Sequence, residues 1–142
     1  MSLILIVEDN DKNMKLVRDL LQVKGYATVE AVTGEDGVRL AQERHPDLVL
    51  MDIQLPGING FEVLKIVKEN YPYVEVVVVS TMKELEIAIE AMRLGAYHYT
   101  SKDIDLETLR TLLANAGERQ DLRRDVVRLR EEVAETNDRE FV

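Results

Sequence analysis

Five side chains fall just beyond strand-length runs, and their types belong together chemically. Glu8 and Asp9 follow Ile4-Leu5-Ile6-Val7, and Asp52 follows Leu48-Val49-Leu50-Met51. Ser80 follows Val76-Val77-Val78-Val79, and Lys102 follows the weaker run Tyr97-His98-Tyr99-Thr100. Carboxylates at close range repel one another and raise one another's pKa. A site that tolerates three of them holds a cation, and hard oxygen donors suit Mg2+. A hydroxyl and an ammonium beside a metal and a carboxylate form an anion clamp suited to a phosphoryl group. Taken singly, each residue has a plainer reading. Asp9 or Asp11 would cap the first helix, Ser80 would cap the fourth, and Lys102 would be a surface cation.

The elements that position these groups are legible in the apolar pattern. The three consecutive runs are apolar at every position, so they predict strands buried on both faces. Ala27-Thr28-Val29-Glu30-Ala31 and Tyr97-His98-Tyr99-Thr100 alternate, which predicts sheet edges. Amphipathic segments lie between the strands. Met14, Leu16, Val17, Leu20, Leu21 and Val23 mark the first helix, which ends at Gly25. The second spans Gly34 to Arg44, and Phe61, Val63, Leu64, Ile66 and Val67 mark the third. Leu85, Ile87, Ala88, Ile89, Ala91 and Met92 mark the fourth, with Gly95 as its C-cap, and a fifth begins near Leu106. Five β-α repeats predict an α/β domain with a parallel sheet. Right-handed crossovers with three central strands favour a flavodoxin-like order 2-1-3-4-5, with helices on both faces. Its topological switch point lies between strands 1 and 3, where Glu8, Asp9 and Asp52 converge.

Composition narrows the function. The chain has 142 residues, enough for one domain, and 46% are hydrophobic. With 18 basic residues against 27 acidic ones its formal net charge is −9, which argues against direct nucleic-acid binding. Cysteine is absent, which removes disulfides and thiolate metal sites. The apolar runs are too short to span a membrane, and no secretory signal is visible, so a cytoplasmic location is expected. The loop Glu8-Asp9-Asn10-Asp11 repels phosphate unless a metal intervenes, which disfavours a flavin or nucleotide binder. His45 and His98 read as structural or surface residues.

From about Leu3 to Gly117 the sequence resembles the receiver domain of two-component response regulators. The segments that carry the resemblance are Ile4 to Asp9, Asp52 to Gly60, Val76 to Ser80 and Gly95 to Lys102. The resemblance implies that Asp52 is a phosphoacceptor, accepting a phosphoryl group from a histidine kinase or phosphotransfer protein. It implies that Glu8, Asp9, Asp52 and the Gln54 backbone carbonyl hold Mg2+, and that Ser80 and Lys102 bind phosphoryl oxygens. It further implies a switch in which Ser80 moves, Tyr99 rotates inward and the face of helix 4, strand 5 and helix 5 changes for dimerisation or a partner. Such a domain catalyses only its own phosphorylation and dephosphorylation. Asp103 stands where the family usually has Pro, and Thr81 where it usually has a small residue. Met82 occupies a variable position beside the site, where its apolar side chain is expected to shield an acyl phosphate from water. An interaction domain without phosphorylation, and a phosphatase using Asp52 as a covalent nucleophile, are the rival readings.

Residues 118–142 form a predicted C-terminal helical extension or coiled-coil linker with a frayed end, beyond a receiver at 3–117. Leu122, Val126, Leu129 and Val133 recur at a/d spacing, with Glu118 and Asp125 at g and Arg123 and Arg130 at e. That pattern fits a parallel homodimer. In similar receivers such a helix leads to an output domain; none is expected within these 142 residues, which fits either a piece of a longer regulator or a stand-alone receiver whose output is protein contact.

Overall fold

The computed structural model describes residues 3–55, 57–80, 85–101, 107–108 and 111–116. Its elements alternate as expected: β1 (Leu3–Val7), α1 (Asp11–Val23), β2 (Ala27–Ala31), α2 (Gly34–Arg44), β3 (Leu48–Met51), α3 (Gly60–Asn70), β4 (Glu75–Ser80), α4 (Leu85–Arg93) and β5 (His98–Ser101). Helical backbone recurs at 107–108 and 111–116. The five strands form one sheet in the order β2-β1-β3-β4-β5, and every pairing is parallel.

The continuous apolar runs are central because both of their faces are covered. Ile4 and Ile6 of β1, Leu48 and Leu50 of β3 and Val77 of β4 pack with Met14 and Leu21 of α1 and with Leu113 and Ala116. Leu5, Val7, Val49, Met51, Val76 and Val78 point the other way, toward Ala41 of α2, Val63, Leu64 and Val67 of α3, and Ala91 of α4. The period-two alternation of strand side chains therefore divides each apolar run between two cores. The alternating strands β2 and β5 lie at the edges.

Local sequence explains where the helices begin. Asn10 caps α1 by accepting from the Asn13 N–H, Thr33 caps α2 through Asp36 and Asn59 caps α3 through Glu62. The α1 cap is thus neither Asp9 nor Asp11. Asp9 lies outside the helix and Asp11 opens its first turn. Gly95 follows α4 as the expected terminator, its N–H bonded to Met92 O at 3.1 Å. Edge strand β5 runs one residue later than the alternation indicates, and β4 extends through Ser80.

Apolar spacing overstates burial on two helices. Leu16 is 65% exposed and Val23 82% on α1, while Leu85, Ile89 and Met92 are exposed on α4. Conversely Glu75, the first residue of β4, is fully buried. The predicted extension at 118–142 lies outside the described residues. No helix among the described residues is long and apolar enough to cross a membrane.

Burial rather than periodicity should govern stability. Leu64→Ala removes a side chain with no solvent exposure and is expected to lower unfolding stability by about 2–5 kcal/mol. Leu16→Ala is expected to change it by no more than about 0.5 kcal/mol. Urea denaturation midpoints of the two variants check this, and a large loss for Leu16→Ala would contradict the packing.

Candidate functional site

The sheet ladder places two of the acids side by side. Val7 pairs with Met51, so the residues that follow, Glu8 and Asp52, leave adjacent strands at the same level. Backbone bonds extend the ladder past the last strand residue. The Asp52 N–H donates to Val7 O, and the Glu8 N–H donates to Ala31 O, both at 3.0 Å. The positions of the two side chains therefore follow from main-chain pairing rather than from loop flexibility.

One oxygen from each of Glu8, Asp9 and Asp52 lies within 4.8 Å of the others. Glu8 is only 5% exposed and Asp52 only 4%, whereas Asp9 is open to solvent. At that separation each pair of full charges repels by about 1 kcal/mol in water, and by about 3 kcal/mol at the effective dielectric of a protein site. Neighbouring donors offset part of this. Asn13 on α1 donates its side-chain N–H to Glu8 Oε1 at 3.2 Å, and the Gln54 N–H donates to Asp52 Oδ1 at 3.1 Å. Both of these donors are neutral. Clustered hard oxygens, two of them buried, fit a divalent cation such as Mg2+.

The remaining predicted residues occupy the same end of the sheet or fall outside the described residues. Ser80 is the last residue of β4 and is fully buried. Met51 is level with Val78, so Ser80 stands one residue further along its strand than Asp52 does on its own. Tyr99 lies within β5, level with Val78, half-buried against the α2-α3-α4 core. Gln54 follows Asp52 by two residues and is exposed. Lys102, Asp103, Thr81 and Met82 lie outside the described residues. Every described peptide bond is trans. His45 caps α2 in a left-handed conformation and stacks edge-on against Tyr71, with ring centroids 6.4 Å apart, and His98 is exposed. Neither joins the acidic cluster.

Two contributors were not singled out by residue type. Asn13 supports Glu8 from one helical turn beyond the cap at Asn10, and its asparagine spacing from Asn10 is the only trace in sequence. Gly60 begins α3 directly against the backbone of the site. A Cβ there would stand 2.6 Å from both Asp52 O and Ile53 Cα. Its N–H bonds Ile53 O at 2.9 Å, which closes the loop that follows Asp52.

Comparison with known proteins agrees with this fold. Residues 4–114 match the family model described as the response regulator receiver domain. The polar-differentiation response regulator DivK of Brucella ovis is 40% identical over 119 residues, covering 80% of this chain and 97% of DivK. The regulatory protein AtoC of Escherichia coli is 32% identical over 123 residues, covering 87% of this chain but 27% of AtoC. Among solved structures, NtrX from Brucella abortus superposes with a TM-score of 0.83 at 30% identity, over 94% of this chain and 30% of that one. A CheY-like receiver from Methanospirillum hungatei gives the same TM-score at 24% identity, over 87% of this chain and 98% of that one, a likeness of fold alone.

The crowded charge has a measurable consequence. In metal-free buffer Asp52→Asn is expected to raise unfolding stability by at least about 1 kcal/mol, because it removes a buried like charge while keeping an acceptor for Gln54. Chemical denaturation with EDTA present checks this, and an unchanged or lower midpoint would contradict the repulsion. Gly60→Ala is expected to cost about 1–3 kcal/mol through overpacking against fixed backbone, read from the same denaturation curves.

Proposed function

We propose, for a chain that belongs to the response regulator receiver domain family, that it is a cytoplasmic signalling module which accepts a phosphoryl group on Asp52 from a histidine kinase or phosphotransfer protein. The observation that carries this reading is the convergence of Glu8, Asp9 and Asp52 within 4.8 Å at the carboxyl end of the sheet. Glu8, Asp9, Asp52 and the Gln54 carbonyl would hold Mg2+. When bound, the ion supplies charge neutralisation for the phosphoryl oxygens.

The chain's own residues have separate tasks. Asp52 attacks phosphorus with a carboxylate oxygen, the phosphorus–nitrogen bond of the donor breaks, and the imidazole leaves with its electron pair, forming an acyl phosphate. The hydrogen bond from Gln54 to Oδ1 holds the Asp52 carboxylate in place for that attack. Ser80 and Lys102 take phosphoryl oxygens, and Met82 excludes water from the product. Movement of Ser80 out of its buried position makes room for Tyr99, whose ring already leans on the core behind β5. The surface that changes includes α4, where Leu85, Ile89 and Met92 are exposed at i, i+4 and i+7. An apolar stripe of this kind suits dimerisation or a downstream partner. The heptads at 118–142 fit a parallel homodimer that presents this surface in pairs. Catalysis is confined to the domain's own phosphorylation and dephosphorylation.

Intact-mass spectrometry after incubation with Mg2+ and a small acyl-phosphate donor tests the assignment. Wild type is expected to gain one phosphoryl group, and Asp52→Ala or EDTA-treated protein none. An adduct that persists in Asp52→Ala, or a wild type that stays unmodified while binding Mg2+, would sink it.

A further inference from the structure

Glu35 stands in the first turn of α2, remote in sequence from the acidic cluster. A first-turn acid is satisfied by its own helix terminus and needs no distant partner. Yet Glu35 Oε1 accepts the Ile58 N–H at 2.9 Å, across 23 residues. Two glycines shape the contact. Gly57 has φ of +78°, which favours glycine, and a Cβ there would collide with both carboxylate oxygens of Glu35. Gly34 lies flush against the same loop, where a Cβ would strike the Ile58 carbonyl oxygen and stand 2.7 Å from Ile58 Cγ1. The first turn of α2 thus sits directly on the loop between Asp52 and Gly60.

That loop carries the Gln54 carbonyl. Its base is tied at two points, by the Gln54 N–H to Asp52 Oδ1 and by the Gly60 N–H to Ile53 O. Glu35 ties its far side. We infer that Glu35 is a positioning residue for the cation site: by clamping Ile58 it holds the loop so that the Gln54 carbonyl faces the Glu8-Asp9-Asp52 cluster before the ion arrives. Such a role deepens the Mg2+ site proposed above and depends on it. Preorganised ligands bind more tightly because less ordering remains to be done on binding. The acceptor oxygen matters here and the charge does not, so Gln should replace Glu where Ala cannot.

The full chain tests this as wild type, Glu35→Ala and Glu35→Gln, with far-UV circular dichroism as the folding control. Calorimetric titration with Mg2+ alone gives affinity. Amide hydrogen exchange of Ile58 in metal-free protein reports the clamp directly. Phosphorylation rate against Mg2+ concentration separates binding from chemistry. Glu35→Ala is expected to speed exchange at Ile58 and to weaken Mg2+ binding roughly threefold to tenfold, the factor an ordinary net hydrogen bond commands. Its phosphorylation rate at saturating Mg2+ should match wild type, and Glu35→Gln should recover most of the affinity. Unchanged Mg2+ affinity in Glu35→Ala overturns the inference. Equal weakening in both variants also overturns it, because the charge rather than the clamp would then be at work. A wild type that neither binds Mg2+ nor takes up a phosphoryl group overturns both this role and the reading beneath it.

Discussion

The mutual repulsion of Glu8, Asp9 and Asp52 is the constraint on which the rest of the structure depends. Their oxygens lie within 4.8 Å of one another, and two of the three side chains are buried. Ionised carboxylates at that distance repel one another, and a rigid backbone is what keeps them together. Parallel pairing supplies that rigidity. The ladder bonds Asp52 N–H to Val7 O and Glu8 N–H to Ala31 O continue past the strands and hold both acids in register. A sheet covered on both faces resists the shift that would separate them.

The loop after β3 shows how a flexible connection becomes a fixed one. It must turn from Asp52 into α3 within a few residues while keeping its backbone close to the site. Gly60 permits the close approach, Asn59 caps the new helix, and Glu35 reaches across from α2. Each device is modest alone. Together they restrict the loop from its base and its far side, which is how ordinary hydrogen bonds become geometric precision at a polar site.

The same economy leaves surfaces exposed. On α4 the residues Leu85, Ile89 and Met92 face solvent, although helix formation alone does not require them to be apolar. On α1 Leu16 and Val23 do the same. A helix packed against a sheet buries one stripe, and these residues lie off it. Their exposure follows from the width of that stripe and not from helix propensity. Strand β5, which carries Tyr99, pairs with β4, which ends at Ser80.

Much of this protein was determined by its sequence alone. Strand-length runs apolar at every position, set between helical patterns, read as strands covered on both faces, and alternating runs suit edges, so with right-handed crossovers the sheet order and the meeting of Glu8, Asp9 and Asp52 followed from one-dimensional pattern. Tertiary structure decided what pattern cannot encode. Helical periodicity did not distinguish buried Leu64 from exposed Leu16, because the width of the buried stripe depends on what packs against it. Asn10, rather than either neighbouring aspartate, caps α1, since Asn and Asp serve equally and backbone conformation selects among the three positions. Glu75 is buried in a position that composition would assign to the surface. The reach of Glu35 to Ile58 and of Asn13 to Glu8 arises only when separate elements are brought together. Apolar pattern is summed over many residues and survives local variation. A single polar contact depends on the three-dimensional position of two atoms, and only the folded chain specifies that.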